Sequence, residues 1–145
     1  MKKAKGFTIV ELIIVIVIVG ILAIVSIPIY RGYTLKSKMT EGKSLAASVI
    51  TSQRVYYSEF GVWYTINGWV EENPVLDIDA RNNAYFKKVK TGHSALYTNV
   101  ISAEALSESE NLIIYQFWPY DMNQAASYPK WRITDASGAL ISEEW

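Results

Sequence analysis

The stretch Gly6-Phe7-Thr8-Ile9-Val10-Glu11 begins an apolar run that continues to Ile29. Within residues 7–29 Glu11 is the only ionisable side chain, and the rest is largely Ile, Val and Leu. As a helix these residues span about 34 Å, at about 1.5 Å each, and can cross a hydrocarbon core about 30 Å thick. A basic cytoplasmic flank precedes the run: Lys2, Lys3 and Lys5. The stretch therefore predicts a membrane-spanning helix over residues 7–30.

The centre of the run, residues 13–19, consists only of isoleucine and valine. In water such β-branched residues favour a strand. In lipid a lone strand would leave its backbone groups unpaired, so the segment must be helical there. Outside lipid it would aggregate unless other apolar helices surrounded it.

Glu11 is out of place in this run. An acidic residue in a bilayer costs about 2.5–3.5 kcal/mol on insertion scales and usually has a partner. One interpretation is that Glu11 lies near the headgroups, opens the helix and gains from the helix dipole. The other requires a positive charge at similar depth, which no downstream residue up to Tyr30 supplies. Cleavage before Phe7 would create an α-amino group four residues from Glu11.

The lysine-rich leader, Gly6, Phe7-Thr8, Glu11 and the continuous apolar helix resemble the class III signal of type IV pilins and type II secretion pseudopilins. The resemblance implies that residues 1–6 are a leader, which a prepilin peptidase removes by cutting between Gly6 and Phe7. It implies that the new N-terminus, Phe7, is then methylated. It also implies that Glu11 and Phe7 act in assembly, because the carboxylate pairs with the terminal amine of a neighbouring subunit.

Two departures from that family pattern are visible. Ile9 stands where leucine is more usual, an apolar exchange, and the chain has no cysteine, whereas many pilins carry a disulfide near the C-terminus. Without cysteine there is neither a disulfide framework nor a thiolate metal site. We therefore expect the extracytoplasmic domain to be held by its core and by its neighbours in an assembly.

Gly20 and Pro28 are the weak points of the apolar helix. Pro28 has no amide hydrogen and clashes with the carbonyl of Ile24, so it bends or opens the preceding turn. A static kink is one interpretation, since proline is common in membrane helices. The resemblance implies more, namely that the segment between Gly20 and Pro28 loses helix in the filament and makes it extensible.

An ordinary secretory signal fits poorly, because its apolar region has about 7–15 residues and ends in a small-x-small site. An uncleaved signal anchor is a serious alternative, since hydropathy alone permits it. The charge rule does not decide, because basic residues also follow the run: Arg31, Lys36, Lys38 and Lys43.

Residues 31–60 continue the helix as its amphipathic half. Residues on one face recur at alternating steps of four and three: Leu35, Met39, Gly42, Ala46, Val49, Gln53, Tyr56 and Phe60. Gly61 is the predicted C-terminal stop. The stripe predicts the surface on which the globular domain, residues 31–145, is built.

Residues 61–84 read as a loop, punctuated by Gly61, Gly68 and Asn73-Pro74. Strand candidates follow in the region 85–145: Tyr85–Lys90, Leu96–Ile101, Leu112–Trp118, Trp131–Asp135 and Ala139–Ser142. Residues 103–109 could instead form a short helix, and residues 135–138 read as a hairpin turn. The pattern predicts an α+β fold, with the long helix packed on an antiparallel sheet of about four strands, which is pilin-like.

Composition argues against nucleic acid as the main partner. The leader holds three of the 14 Lys+Arg, so the rest of the chain has 11 against 14 Asp+Glu, a net charge of −3. Lys87, Lys88, Lys90 and His93 form a small basic patch, which a polar strand face explains better than a DNA site.

No catalytic constellation or cofactor motif is evident. His93 is the only histidine, and the glycines occur singly at breaks, so a histidine-based metal site, a triad and a phosphate loop are all unexpected. Calcium is a weaker alternative, with irregularly spaced oxygen ligands: Asp121, Asn123, Asp135, Glu143 and Glu144.

We expect a non-enzymatic subunit of a type IV pilus-like filament. Its precursor would lie in the inner membrane with the N-terminus in the cytoplasm, and the mature chain would form a homo-oligomeric periplasmic or extracellular filament with the pilus or secretion machinery. A type II secretion pseudopilin is the alternative within the class. A signal-anchored surface binding module, for example for sugar, is a more distant one.

Overall fold

The computed structural model describes residues 6–93, 100–119 and 130–144. Within these residues one helix is followed by eight strands. The elements are α1 (Ile9–Phe60), β1 (Ile66–Val70), β2 (Glu72–Asn73), β3 (Ile78–Asp79), β4 (Lys88–His93), β5 (Val100–Ser107), β6 (Leu112–Pro119), β7 (Trp131–Asp135) and β8 (Leu140–Glu144).

The chain divides into two compact units, Met1–Ser37 and Lys38–Trp145. The described part of the first unit is residues 6–8 and the N-terminal stretch of α1, whose apolar side chains are exposed. The second unit contains the rest of α1 and all eight strands. The predicted helix over residues 7–60 is thus confirmed to within two residues at its start.

The second unit is built on a six-stranded antiparallel sheet in the order β1-β4-β5-β6-β7-β8, and β2 and β3 form a separate ribbon. The main core takes alternate residues of β5 and β6, since successive residues of a strand point to opposite faces: Ile101, Ala103, Ala105, Leu112 and Ile114. Val100 and Phe117 form a separate small cluster. The buried face of α1 belongs to the main core: Gly42, Leu45, Ala46, Val49, Ile50 and Gln53. The α+β prediction is confirmed.

Small residues of α1 allow the sheet to approach closely. A Cβ built on Gly42 would lie 2.6 Å from Ile114 Cδ1 and 2.7 Å from Phe86 Cε1, closer than such atoms can come. Ala46, one turn later, is completely buried. The glycine and alanine in the predicted stripe therefore mark the contact of helix and sheet.

Gln53 joins α1 to the sheet through hydrogen bonds, although it is a polar residue with no exposed surface. Its side-chain amide donates to the Tyr64 carbonyl and, at 3.0 Å, to Thr91 Oγ1, and its carbonyl accepts from Tyr64 N–H at 3.1 Å. Thr91 Oγ1 donates onward to the Ser102 carbonyl at 2.9 Å. Because buried polar groups must be paired, this network fixes α1 against β4 and β5.

Glu41 holds the chain segment that leads into β4. Its carboxylate accepts backbone N–H bonds from Ala84 at 3.2 Å, Tyr85 at 2.7 Å and Phe86 at 2.8 Å. Charged acceptors make the stronger hydrogen bonds. These bonds position Phe86, which is fully buried against Gly42.

Replacing Glu41 with alanine should lower the free energy of unfolding by about 1.5 kcal/mol, the lower end for bonds to a charged group, since part of the site is exposed. Thermal unfolding of the purified full chain in detergent measures the loss. Glu108→Ala is the matched control, because it removes a carboxylate that forms an exposed ion pair with Lys88 at 2.7 Å, worth at most about 1 kcal/mol. Equal melting temperatures for the two variants would contradict a structural role for Glu41.

The prediction of a loop over residues 61–84 is wrong in part. This region contains β1, β2 and β3, and β1 is an edge strand of the main sheet. β2 and β3 have two residues each, too short for a periodic signal, and β1 pairs irregularly with β4 around Gly68, whose φ is 89°. The described sheet consequently has six strands where about four were expected.

Several strand boundaries also differ from the prediction. The alternative short helix over residues 103–109 is wrong, because β5 continues to Ser107 and pairs with β6 along its length. β4 begins at Lys88, three residues later than predicted, since Glu41 binds the backbone amides of Ala84, Tyr85 and Phe86. The strands predicted over 112–118 and 131–135 are confirmed, and the last one runs to Glu144.

The predicted turns at residues 61 and 135–138 are present. Gly61 ends α1 with a φ of 72°, and its N–H donates to the Tyr57 carbonyl at 2.8 Å. In the hairpin between β7 and β8, Asp135 Oδ1 accepts N–H bonds from Ser137 and Ala139, both at 2.9 Å. Both turns depend on local chemistry that the sequence contains.

The helical stripe is confirmed in its middle and wrong at its ends. Gly42, Ala46 and Gln53 are buried as expected, but Leu35 and Phe60 are exposed. Leu45 and Ile50 are buried and were not predicted. An alternation of four and three follows a 3.5-residue repeat, which drifts about 20° per heptad from the helical period.

Some predictions lie outside the described residues. These are the leader lysines, most of the strand candidate 96–101, and the calcium candidates Asp121 and Asn123.

Candidate assembly site at the start of the helix

The start of α1 is closed by a reciprocal pair of side chains. Thr8 precedes the first helical residue, and its hydroxyl accepts the Glu11 N–H at 3.2 Å. Glu11 Oε2 accepts the Thr8 N–H at 2.9 Å and the Thr8 hydroxyl at 2.8 Å. This is a capping box, which satisfies backbone N–H groups that a helix start leaves unpaired.

The capping box leaves half of the carboxylate available. Both bonds from Thr8 fall on Oε2 of Glu11, and within the described residues Oε1 accepts no hydrogen bond and Glu11 has no ion pair. A carboxylate has about four lone-pair sites on its two oxygens. Glu11 can therefore keep its capping bonds and bind a cation through Oε1.

The bond between Gly6 and Phe7 is accessible. Residues 6–8 are not helical, no heavy atom of the described residues other than the neighbours of Gly6 in the chain lies within 4 Å of a Cβ built on Gly6, and Phe7 is 81% exposed. A protease needs the bond that it cuts to be open and unstructured. The predicted processing site has this geometry.

The remainder of the apolar stretch exposes its side chains on all faces. Among the described residues α1 is the one helix that is long and apolar enough to span a membrane, and none of its most apolar stretch is buried. A helix that is apolar all round requires either lipid or other apolar helices around it.

The helix continues without interruption through Gly20 and Pro28. Apart from its chain neighbours and the backbone of its own helix, no heavy atom of the described residues lies within 4 Å of a Cβ built on Gly20. The Ser26 hydroxyl donates to the Leu22 carbonyl at 2.7 Å, one turn back along the helix. The predicted softening at Gly20 and Pro28 concerns a change within the filament and stays a prediction.

The three calcium candidates that are described are engaged elsewhere. Asp135 organises the hairpin, Glu143 pairs with Arg132 at 3.1 Å, and Glu144 pairs with Lys43 at 2.6 Å. In the described part of the chain no group of three or more His, Cys, Asp or Glu residues could hold a metal ion. Calcium binding stays an expectation.

Residues 6–11 therefore bring together the predicted cleavage bond, the acid and the capping hydroxyl. Gly6, Phe7 and Glu11 were predicted as site residues, whereas the role of Thr8 was missed. The signal for it was the pattern Thr8-x-x-Glu11 directly before an apolar run, which is the sequence signature of a capping box.

An open Gly–Phe bond before an apolar helix that contains one acid is typical of the class of proteins with an N-terminal methylation signal. Residues 1–27 match the family profile described as the prokaryotic N-terminal methylation motif. No solved structure gives a significant match.

Curated relatives narrow the class. The chain is 48% identical over 59 residues to the fimbrial protein EcpC of Eikenella corrodens, covering 41% of this chain and 39% of the relative. It is 44% identical over 104 residues to a fimbrial protein of Neisseria meningitidis, covering 72% and 59%. It is 35% identical over 107 residues to the type IV major pilin protein PilE1 of Neisseria gonorrhoeae, covering 74% and 46%.

The chain belongs to the type IV pilin family. Its matched part spans about half the length of these relatives.

Proposed function

We propose that the chain is the precursor of a structural, non-enzymatic subunit of a type IV pilus-like filament. A prepilin peptidase cuts between Gly6 and Phe7 and methylates Phe7. The mature subunit then polymerises through its apolar helix, and Glu11 binds the terminal amine of a neighbouring copy.

The observation that carries this proposal is the state of Glu11. Glu11 lies near the start of the apolar stretch of α1, whose large apolar side chains are exposed, and one of its carboxylate oxygens has no partner in the described residues. Cleavage before Phe7 produces the missing cation at the same end of the same helix. Burial of the apolar surface among copies supplies the cohesion, and the pair sets the register, as buried ion pairs do in the best-attested cases.

We place the precursor in the inner membrane as a single-pass protein with its N-terminus in the cytoplasm. The apolar helix and the lysines before it support this orientation. After cleavage the pilus assembly machinery moves the subunit into a filament outside that membrane. The relatives' names, fimbrial protein and type IV major pilin, favour a pilus over a type II secretion pseudopilus.

Replacing Gly6 with leucine should prevent removal of the leader. Among the described residues beyond its chain neighbours, nothing lies within 4 Å of a Cβ at this position, so we expect the effect to fall on peptidase recognition and not on the fold. Mass spectrometry of the N-terminus measures it after co-expression with a prepilin peptidase. We expect the unchanged chain to begin at a methylated Phe7 and the variant to retain residues 1–6.

Gly32→Leu is the control for this experiment, because Gly32 is another open glycine with nothing within 4 Å of its Cβ position. It should be processed normally. If the unchanged chain keeps its leader, a signal-anchored surface binding module becomes the better account.

A further inference from the structure

A groove lies at the C-terminal end of α1. It has a volume of about 300 Å³ and is formed by the last turns of α1 and the turn between β2 and β3. Its accessible apolar walls are Val55, Phe60 and Val75, each at least half exposed, and its acidic residues are Glu59 and Asp77. We call these five residues the acidic groove.

The shape of the acidic groove is built into the chain. Phe60 packs on Tyr56 with ring centroids 4.5 Å apart. In the turn, Leu76 N–H donates to Asn73 Oδ1 at 3.0 Å, which buries Leu76 and leaves Val75 outside. Asp77 follows with a φ of 51°, a left-handed conformation that aspartate tolerates better than most residues.

The carboxylates of the acidic groove are available for a partner. Neither Glu59 nor Asp77 makes an ion pair within residues 6–93, 100–119 and 130–144. The neighbouring Asp79 differs, because Arg81 binds it at 2.7 Å and lowers its pKa to about 2. Within the described residues, Asp79 thus has an arginine partner from its own chain, whereas Asp77 has none.

A segment of complementary chemistry directly follows the apolar run that ends at Ile29: Tyr30-Arg31-Gly32-Tyr33. Tyr30 and Tyr33 are 70% and 71% exposed and lie three residues apart, on one face of α1. Arg31 makes no ion pair in the described parts of the chain. Two exposed aromatic rings beside an arginine are the chemistry that suits an apolar groove with two acids.

We propose that the acidic groove receives the segment 30–33 of a second copy of this chain. The tyrosine rings cover Val55, Phe60 and Val75, and the guanidinium of Arg31 lies between Glu59 and Asp77. This inference rests on the proposed filament, in which each copy has others displaced along its axis. The proposed contact is polar and aromatic, lies outside the apolar stretch, and determines which copies in the filament are in contact.

The absence of cysteine from the chain makes a direct test possible. Tyr33→Cys and Val75→Cys are made as two separate chains and co-expressed with the unchanged chain, so that filaments form even where a variant alone assembles poorly. After mild oxidation of the purified filaments, we expect disulfide-linked dimers that contain one chain of each kind. A disulfide requires Cα atoms about 4.4–6.8 Å apart, so its formation reports contact.

The control pair is Tyr33→Cys with Lys87→Cys, because Lys87 is also exposed but lies outside the acidic groove. It should give no mixed dimer. Filaments in which the Val75 pair gives no mixed dimer, or no more than the Lys87 pair, would overturn the inference and leave the proposed function intact. If the unchanged chain is cleaved but forms no filament, the proposed function itself fails, and this inference with it.

Discussion

Replacing Glu11 with alanine should abolish filament formation while membrane insertion and leader removal continue. Insertion should become easier, because an acid in the bilayer costs about 2.5–3.5 kcal/mol. Assembly should fail, because the terminal amine of the neighbouring copy would be buried without its counter-charge. Removing one partner of a buried ion pair costs about 3–5 kcal/mol, which corresponds to at least about a 100-fold loss in subunit incorporation.

Glu11→Gln separates the two roles of this side chain. Glutamine can keep the capping bonds to Thr8, since a capping box accepts either residue, but it carries no charge. We expect it to assemble as poorly as Glu11→Ala, measured as the amount of filament protein sheared from cells. Glu71→Ala is the control for loss of an exposed acid and should assemble normally; normal filaments from Glu11→Gln would show that the charge is not needed.

Replacing Gly42 with valine should destabilise the second unit more than Glu41→Ala does. The first added carbon would lie 2.6–2.8 Å from Ile114 Cδ1 and two atoms of the Phe86 ring. Ile114 could rotate, but Phe86 has no exposed surface and is held by the Glu41 bond to its backbone. Overpacking of this kind costs about 3 kcal/mol at its upper end, or a fall in melting temperature of about 10–20 °C for a domain of this size.

The matched control is Ser44→Val, two residues further along α1 on its exposed face. It places the same β-branched side chain in the helix without the steric clash. Because serine is already a better helix former than glycine, helix propensity alone would favour Gly42→Val over this control. The melting temperature of Gly42→Ala should fall between those of Gly42→Val and Ser44→Val. Alanine has a better helix propensity than glycine by about 1 kcal/mol, which partly offsets the steric cost of the first added carbon. If Gly42→Val and Ser44→Val have the same melting temperature, the close contact of helix and sheet at Gly42 is contradicted.

The features predicted correctly are those encoded by neighbouring residues. The length of α1 follows from an apolar run and a stripe, its end from Gly61, and β6 and β7 from apolar runs bounded by turn signals. The hairpin follows from the side-chain chemistry of Asp135 and the glycine three residues later, whose φ is 90°. Each of these signals lies within a few residues of its effect.

The features that were missed depend on contacts between distant residues. β1 is a strand because it pairs with β4, which follows it across an intervening ribbon, and nothing in its own composition outweighs Gly68. The burial of Gln53 depends on Tyr64 and Thr91. The shifted start of β4 depends on Glu41, which is 43 or more residues away from the amides that it binds.

The candidate site was predictable almost entirely, because it lies within residues 6–11. The charge of Glu11 in an apolar run and the glycine before Phe7 were both visible in the sequence. The geometry of the carboxylate was not visible, because the sequence does not tell which oxygen of Glu11 accepts the hydrogen bonds from Thr8. That detail explains how one acid can cap its own helix and bind a neighbour at the same time.

The most direct test of the pairing between copies is a nuclear magnetic resonance experiment on mixed filaments. Half of the copies carry ¹⁵N-labelled phenylalanine and half carry ¹³C-labelled glutamate, and the methylated terminal nitrogen is distinguished from amides by its chemical shift. A pair within ion-pair distance, about 4 Å, predicts a transfer signal between the terminal nitrogen of Phe7 in one copy and the carboxyl carbon of Glu11 in another. Well-ordered filaments that begin at Phe7 and show no such signal would contradict it.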